Sequence, residues 1–247
     1  MKNLISVFQD TLEYCEELQS SCSTHKYTFS DIVTAPLVGL KENISVINSD
    51  SVSALVKYYQ SGKTCVLNMA SHKRPGGGVR NGARAQEECL FRCSNLCTAI
   101  GTEHYPLEDT EALYTTDAVF FKDVEYDYMP EVKCDVVTIS ALRLHGIIGE
   151  NGEMSYESDV ADYRNITKNK IRLMLSLAAK HGVRNIILGA WGCGVFKNDP
   201  EIISSYFHEV LVQECYSGLF NQVVFAIIND HNSVGNNFGI FNNRFNG

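Results

Sequence analysis

Hydrophobic positions along the chain follow two patterns, a helical spacing and short continuous runs. At the N-terminus, Leu4, Phe8, Leu12 and Cys15 recur at helical spacing, which predicts an amphipathic helix over residues 3–19. Further helices are predicted at four places, which are residues 50–62, about 85–100, 160–182 and from 200 onward.

Short apolar runs predict the strands, near residues 44–47, 64–68, 117–121, 135–141, 186–189 and 223–228. Strands and helices therefore alternate, and several strands lack a period of two, which is typical of a sheet covered by helices on both faces. Either Ser49 or Asp50 is suited to cap the second helix, and Pro200 to open a later one. Residues 20–43 show no period and are predicted to form a connection or lid. The asparagine-rich tail from Asn229 is predicted to be an irregular but packed cover.

Composition narrows the class of protein. A chain of 247 residues with 45% hydrophobic and 20% charged residues is globular, and we interpret it as one domain over residues 1–247, with 1–43 as a helical extension. No apolar run reaches the length of a membrane span, and acidic residues come too early for a secretory signal. The net charge of −8 argues against wrapping nucleic acid by bulk charge, although a local basic cleft stays open. Nine cysteines, an odd number, indicate reduced thiols in a cytosolic or nuclear compartment.

Two glycine-containing loops leave the carboxyl ends of predicted strands, where open α/β sheets bind ligands. The first follows Asn68 and contains Gly76, Gly77 and Gly78, then Gln86-Glu87-Glu88 at the start of a helix. Consecutive glycines let the backbone approach a ligand closely and adopt positive φ. The spacing is neither that of a nucleoside-triphosphate loop nor GxGxxG.

The second loop, residues 189–200, reads GAWGCGVFKNDP. Its glycine-spaced amides and the following helix N-terminus suit a diphosphate, and Phe196 is placed to press against a sugar. Each loop also has a simpler interpretation, since glycines between strand and helix are most often turn residues. Trp191 is expected in the core or a pocket wall.

The acidic pair and the cysteines have simple structural interpretations as well. Glu87 and Glu88 would complement a helix dipole. Cys89, Cys93 and Cys97 form a helical stripe that invites a metal hypothesis, but such thiols more often pack as small apolar residues. We expect neither a metal nor a cofactor.

Taken together, the two loops resemble the poly(ADP-ribose) glycohydrolases, a catalytic branch of the macrodomain fold, in their compact microbial form. The resemblance runs in order through LNMASHKRPGGGVRNGARAQEECLFRCSNL, the YPL…YTTDAVFFKD stretch, VVTISA and GAWGCGVFKNDP, within residues 45–230. It implies a three-layer α/β/α sandwich with a mixed, mostly parallel sheet and an ADP-ribose cleft at the strand carboxyl ends.

The resemblance also implies roles for individual residues. Glu88 would be the catalytic carboxylate, Glu87 would position the ribose hydroxyls and Asn68 would hold the distal ribose. The remaining substrate-binding residues would be Asp50 near the adenine, Gly76, Gly77, Gly78, Gln86, Gly192, Cys193, Gly194, Val195 and Phe196, with Phe225 or Asn229 as a further adenine neighbour.

The expected reaction is hydrolysis of the bond between an anomeric ribose carbon and an oxygen of the next unit. Glu88 would protonate the leaving oxygen and then help water attack, as a glycosidase carboxyl does. Helical geometry points the side chains of adjacent residues about 100° apart, which argues against Glu87 as a second catalytic group. Expected partners are ADP-ribose and poly(ADP-ribose) on modified proteins, with no membrane, no sequence-specific nucleic-acid binding and a monomeric state.

Two other functions stay open, and a third is disfavoured. A non-catalytic ADP-ribose reader would share the glycine loops but lack the triplet of Gln86, Glu87 and Glu88. A hydrolase of single ADP-ribose groups on protein or nucleic acid would share the whole ADP-ribose half of the site. A dinucleotide dehydrogenase is disfavoured, because the GxGxxG order is absent.

Overall fold

The structure is a computed structural model that describes residues 2–35, 41–143, 147–148, 154–155, 160–229 and 235–247. The helices in these ranges are α1 (Leu4–Glu17), α2 (Ser51–Tyr58), α3 (Gln86–Cys93), α4 (Leu96–Ala99), α5 (Val160–Lys180), α6 (Pro200–His208) and α7 (Asn237–Asn246). The strands are β1 (Ser23–Thr28), β2 (Ile44–Ile47), β3 (Thr64–Met69), β4 (Glu111–Lys122), β5 (Tyr128–Ile139), β6 (Ile147–Ile148), β7 (Met154–Ser155), β8 (Asn185–Leu188) and β9 (Gln222–Ala226).

Seven strands form the main sheet in the order β1-β4-β5-β3-β8-β9-β2. Neighbours from β5 to β2 pair in parallel, whereas β4 pairs antiparallel with both β1 and β5. The parallel part places the carboxyl ends of β3, β8, β9 and β2 at one edge of the sheet. The prediction of a mixed, mostly parallel sheet is confirmed.

Helices cover both faces of this sheet. On one face, α5, α6 and α7 bury Ile171, Phe207 and Phe241 against side chains of the sheet. On the other face, α1, α2 and α3 bury Phe8, Leu55 and Leu90. The three-layer α/β/α arrangement follows, because each helix hides one apolar stripe and each buried strand has two apolar faces. No helix in the described ranges has the length and apolar character that crossing a membrane requires.

Residues 20–43 were predicted to form a connection or lid, and that prediction is wrong for β1. The segment contains β1, which pairs with β4 along Ser23–Thr28 at the edge of the sheet. The β1 sequence STHKYT is polar, and no residue of it is fully buried. An edge strand is held by main-chain pairing, so it needs no hydrophobic alternation that a sequence pattern would reveal.

The helix predicted over residues 85–100 is interrupted. Ser94 is extended, with φ −146° and ψ 175°, and forms a bridge with Phe120 of β4. Asn95 then accepts the Val119 N–H at 2.9 Å through Oδ1. Pairing with the sheet therefore ends α3, and Cys97 does not continue the predicted stripe but lies with its Sγ 3.8 Å from Cys15 Sγ.

The C-terminal tail was predicted to be irregular, and that prediction is wrong for residues 237–246, which form α7. Asn236 caps this helix by accepting the Gly239 N–H at 2.9 Å. Phe241 and Phe245, four positions apart, are buried against Phe225. Tertiary packing of this aromatic pair stabilises a helix that asparagine disfavours by propensity. The prediction that the tail is packed is confirmed.

Candidate active site

A cleft of about 520 Å³ opens at the end of the sheet where the carboxyl ends of the parallel strands lie. Its walls are the segments that follow β2, β3, β8 and β9, together with the first turn of α3. Both glycine-containing loops predicted from the sequence meet here. Ligands of open α/β sheets bind at this end, because the loops that leave neighbouring parallel strands converge there.

The glycine triplet turns back towards α3 in a backbone conformation that favours glycine. Gly76 has φ +68° and Gly77 has φ +51°. A Cβ at Gly77 would lie 2.5 Å from Oε1 of Glu88, and one at Gly76 would lie 2.6 Å from the ring of Phe91. Both the dihedral angles and the close approach of the carboxylate therefore disfavour a side chain at Gly77, which would make Glu88 or the loop shift.

Gln86 ties the start of α3 to the end of β3. Its Nε2 donates to the Leu67 carbonyl at 2.6 Å and to Ser51 Oγ at 3.1 Å. Its Oε1 accepts the Met69 N–H at 3.0 Å. With its amide fully engaged, Gln86 fixes where the first turn of α3 lies relative to the sheet.

Glu87 braces the glycine loop from beneath. Its two carboxylate oxygens accept the Gly76 N–H at 3.1 Å and the Ser71 N–H at 2.7 Å. Burial raises the pKa of Glu87 to about 8, an effect that these two hydrogen bonds oppose and the neighbouring charge of Glu88 reinforces. Both oxygens face the backbone of the loop, so this side chain sets the shape of the loop.

Glu88 presents one oxygen to the loop and keeps the other unengaged. Oε1 accepts the Gly78 N–H at 2.8 Å. Oε2 is buried and has no hydrogen-bond partner among the described residues. The residue is 6% exposed and lines the cleft, so an oriented carboxylate with one unpartnered oxygen borders the cleft.

The second loop forms the opposite wall. Gly192 has φ +79°, and a Cβ there would lie 2.7 Å from Asn198 Nδ2. Asn198 is buried and closes the loop, since its N–H and Nδ2 both donate to the Gly192 carbonyl, at 3.0 and 3.1 Å. Phe196 approaches His72 across the cleft, with ring centroids 6.0 Å apart. Trp191 is buried, and its indole N–H donates to the Ile139 carbonyl at 3.1 Å.

Most of the predicted site residues line the cleft, namely Asp50, Gly77, Gly78, Gln86, Glu87, Glu88, Gly192, Gly194, Val195 and Phe196. Asp50 also caps α2 through Oδ1, which accepts the N–H groups of Val52 and Ser53 at 2.8 Å each. Gly76 is buried beneath the cleft wall and packs against Phe91.

Four other predicted residues do not line the cleft, namely Asn68, Cys193, Asn229 and Phe225. Asn68 is fully buried and donates to Thr138 Oγ1 at 3.3 Å, and Cys193 is fully buried with its Sγ 3.7 Å from the Trp191 carbonyl. Asn229 is exposed beside α7, where it accepts the Phe238 N–H at 3.1 Å.

Phe225 requires a correction, because the structure places its ring in the core. The ring stacks on Phe245 with centroids 4.9 Å apart and meets Phe207 edge-on at 5.2 Å. It therefore points to the α6 and α7 side of the sheet. The residues of β9 and its following loop that do reach the cleft are Ala226, Ile227 and Ile228.

The sequence analysis did not identify the basic side chains that line the cleft, which are Lys73, Arg74, Arg84 and Arg143. The first three belong to the first loop, whose HKRPGGGVRNGAR run is conspicuously basic. That run was the signal that a local basic cleft exists in an acidic protein. Within the described residues, no group of three or more His, Cys, Asp and Glu side chains is arranged to hold a metal ion.

Solved structures share this fold over almost the whole chain. Poly(ADP-ribose) glycohydrolase from Thermomonospora curvata matches with a TM-score of 0.81 and 23% identity, covering 98% of each chain. A structure of the enzyme from the same organism bound to the inhibitor ADP-HPD matches with a TM-score of 0.79 and 22% identity, again over 98% of each chain. The enzyme from Deinococcus radiodurans in complex with ADP-ribose matches with a TM-score of 0.73 and 24% identity, over 100% of this chain and 98% of the other.

The sequence itself matches a protein family. No curated protein matches it significantly. Residues 9–126 match the family described as microbial-type PARG, catalytic domain, and this segment carries the glycine triplet and Gln86-Glu87-Glu88. The family is that of a catalytic domain, and the match covers slightly less than half of the 247-residue chain. The resemblance seen in the sequence is confirmed: residues 9–126 match the microbial-type poly(ADP-ribose) glycohydrolase catalytic-domain family, and the chain shares the fold of the solved enzymes.

Proposed function

We propose that the chain hydrolyses the ribose–ribose O-glycosidic bonds of poly(ADP-ribose) and releases ADP-ribose, with Glu88 as the general acid and base. The observation that carries the proposal is the asymmetric placement of the Glu88 carboxylate. One oxygen is fixed by the Gly78 N–H at 2.8 Å, and the other is buried at the cleft without a partner among the described residues. A catalytic carboxyl needs this combination of orientation and an available oxygen.

In the proposed reaction, protonated Glu88 donates its proton to the leaving ribose oxygen as the bond to the anomeric carbon breaks. The ribose acquires oxocarbenium character, which the nearby diphosphate of the substrate stabilises electrostatically. The Glu88 carboxylate then accepts a proton from water as the water oxygen bonds to the anomeric carbon. The carboxyl is regenerated, and one water is consumed for each bond cleaved. These steps use protons and water only.

The ADP-ribose unit would lie between the two loops. Backbone amides of the glycine triplet and of Gly192–Phe196 would face the ribose and diphosphate, and Phe196 would order the terminal ribose. Arg84 and Arg143 line the same cleft and add positive charge where a diphosphate brings negative charge. Gln86 and Glu87 act as positioning residues, since their side chains hold the main chain of β3 and the glycine loop.

The proposal includes a monomer that acts on poly(ADP-ribose) attached to modified proteins in the cytoplasm or nucleus.

The test measures release of ADP-ribose from poly(ADP-ribosyl)ated protein by wild type and by Glu88→Gln. We expect release by wild type, and a loss of turnover of at least about 100-fold in the variant. ADP-ribose affinity should be retained, because glutamine keeps the acceptor for the Gly78 N–H.

Two outcomes would contradict the proposal. Near wild-type turnover by Glu88→Gln would remove the mechanism. Tight ADP-ribose binding without release from the polymer would instead indicate a reader, or a hydrolase of single ADP-ribosyl groups. Parallel assays on mono(ADP-ribosyl)ated protein separate these two.

A further inference from the structure

A second cavity, of about 380 Å³, lies on the other side of the glycine loop from the active-site cleft. Arg74, Gly77 and Gly78 line both cavities. The Gly78 N–H is also the group that fixes Oε1 of Glu88. The second cavity therefore begins one residue away from the carboxylate assigned to bond cleavage.

The floor of the second cavity is apolar. Phe8 of α1, Val79, Phe91 of α3 and Ile100 line it, and each is at most 3% exposed. Because these side chains are almost fully buried, the floor offers a weakly polar base only a small contact area, and recognition rests mainly on the rim.

The rim of the cavity is cationic and polar. Exposed Arg74 and Arg80 stand on it beside Asn81 and Thr102. The Arg80 guanidinium lies over the Phe8 ring at 5.6 Å from its centroid, which places the charge directly above the apolar floor.

These two arginines are available to an anion. The protein has a net charge of −8, yet neither Arg74 nor Arg80 forms a salt bridge with any carboxylate in the described ranges. Guanidinium groups without a carboxylate partner are complementary to the phosphates of a nucleotide.

We propose that the second cavity binds the next unit of the polymer, namely the adenosine and adjoining phosphates on the leaving side of the bond that is cleaved. The proposal rests on the proposed function. In poly(ADP-ribose) the leaving oxygen belongs to the adenosine of the neighbouring unit. If the released unit fills the first cleft up to Glu88, Gly77 and Gly78 offer that adenosine a path to the second cavity, which they also line.

The first experiment compares binding of two probes, ADP-ribose and a purified two-unit ADP-ribose oligomer, to Glu88→Gln protein, which does not consume them. We expect the oligomer to bind more tightly than ADP-ribose. Adding Arg80→Ala should weaken oligomer binding about threefold to tenfold and leave ADP-ribose binding unchanged, since Arg80 does not line the first cleft. Arg80→Lys, which keeps a point charge, should fall between the two.

Arg184→Ala is the matched control, because Arg184 is also an exposed arginine but lines neither cavity. It should change neither affinity. In the catalytically intact protein, Arg80→Ala should raise KM for poly(ADP-ribose) by a similar factor with kcat little changed.

The proposal is overturned if the oligomer binds no more tightly than ADP-ribose, or if Arg80→Ala and Arg80→Glu both leave the ratio of the two affinities unchanged. Failure of the proposed function would be seen in a different measurement, because wild-type protein would then release no ADP-ribose from the polymer.

Discussion

Glu88 accepts the backbone N–H of Gly78 at 2.8 Å, so the carboxylate that lines the cleft is positioned by the glycine loop that lines it too. The same loop is held from beneath by Glu87, which accepts the Gly76 N–H at 3.1 Å. Adjacent carboxylates on one helix thus have different environments. Glu87 holds the main chain with both oxygens, whereas Glu88 has one oxygen without a partner among the described residues.

Gly77→Ala should inactivate the protein more than it destabilises it. Its Cβ would lie 2.5 Å from Oε1 of Glu88, at a φ of +51°, so the carboxylate or the loop must shift. We expect ADP-ribose release to fall at least about 100-fold, since misplacing a catalytic group by about 1 Å costs that much. The free energy of unfolding should fall by about 1–3 kcal/mol.

The matched control for this substitution is Gly182→Ala. Gly182 has φ +73°, but a Cβ there meets no heavy atom within 4 Å. It should lose about 1 kcal/mol of stability through backbone strain and keep its turnover. Equal turnover in the two variants would show that the close approach to Glu88 is unimportant.

Gln86→Ala should lower both stability and turnover. The change removes partners from the Leu67 carbonyl and the Met69 N–H at the end of β3. Leaving such groups unsatisfied costs about 1–3 kcal/mol, measurable by urea unfolding. Gln60→Ala serves as the control, because Gln60 is exposed and donates only to the Tyr59 hydroxyl. It should change stability by no more than about 0.5 kcal/mol.

Glu87 should make stability depend on pH. Burial raises its pKa from 4.5 to about 8, so the folded protein holds this proton more tightly than the unfolded chain does. The contribution of Glu87 is complete below about pH 4.5 and is lost as the pH rises through about 8. Across that window, wild type should lose up to about 1.4 kcal/mol per pH unit relative to Glu87→Gln, whose amide does not titrate. Urea unfolding of both proteins at several pH values measures this, and a constant difference would contradict it.

Asp50 should contribute to both helix capping and ligand binding. Asp50→Ala removes the cap of α2 and should cost about 1 kcal/mol, whereas Asp50→Asn keeps the capping oxygen and the stability. If the carboxylate contacts the adenine, calorimetric titration should show weaker ADP-ribose binding in both variants.

The control for Asp50 is Asn3→Ala, which removes the cap of α1 away from the cleft. It should lose similar stability and bind ADP-ribose normally. Wild-type affinity in both Asp50 variants would limit Asp50 to its capping role.

Much of the fold followed from local sequence features. Strand β3 was predicted as a buried strand and is one, Pro200 opens α6 as predicted, and Asp50, one of the two cap candidates, caps α2. These features depend on residues close together in the chain, where backbone geometry and capping chemistry act alone. The glycine triplet and Gln86-Glu87-Glu88 were likewise visible as motifs.

Other features depended on contacts between distant segments. Strand β1 has a polar sequence and becomes a strand only because β4 offers it an edge. Helix α3 ends at Ser94 because β4 pairs with that residue. Phe225 lies in an unbroken apolar run, so the sequence did not indicate which face of the sheet it occupies, and the packing of Phe241 and Phe245 decided it.

The same division applies to the active site. The sequence by itself revealed the motif Gln86-Glu87-Glu88 and the glycine loop that precedes it. Only the tertiary structure decided the hydrogen bonds of the two carboxylates: both oxygens of Glu87 accept N–H groups of the loop, and one oxygen of Glu88 has no partner among the described residues. It also decided that Arg74 lines two cavities. The physical reason is that hydrogen-bond partners and cavity walls come from segments far apart in the chain, which no local pattern records.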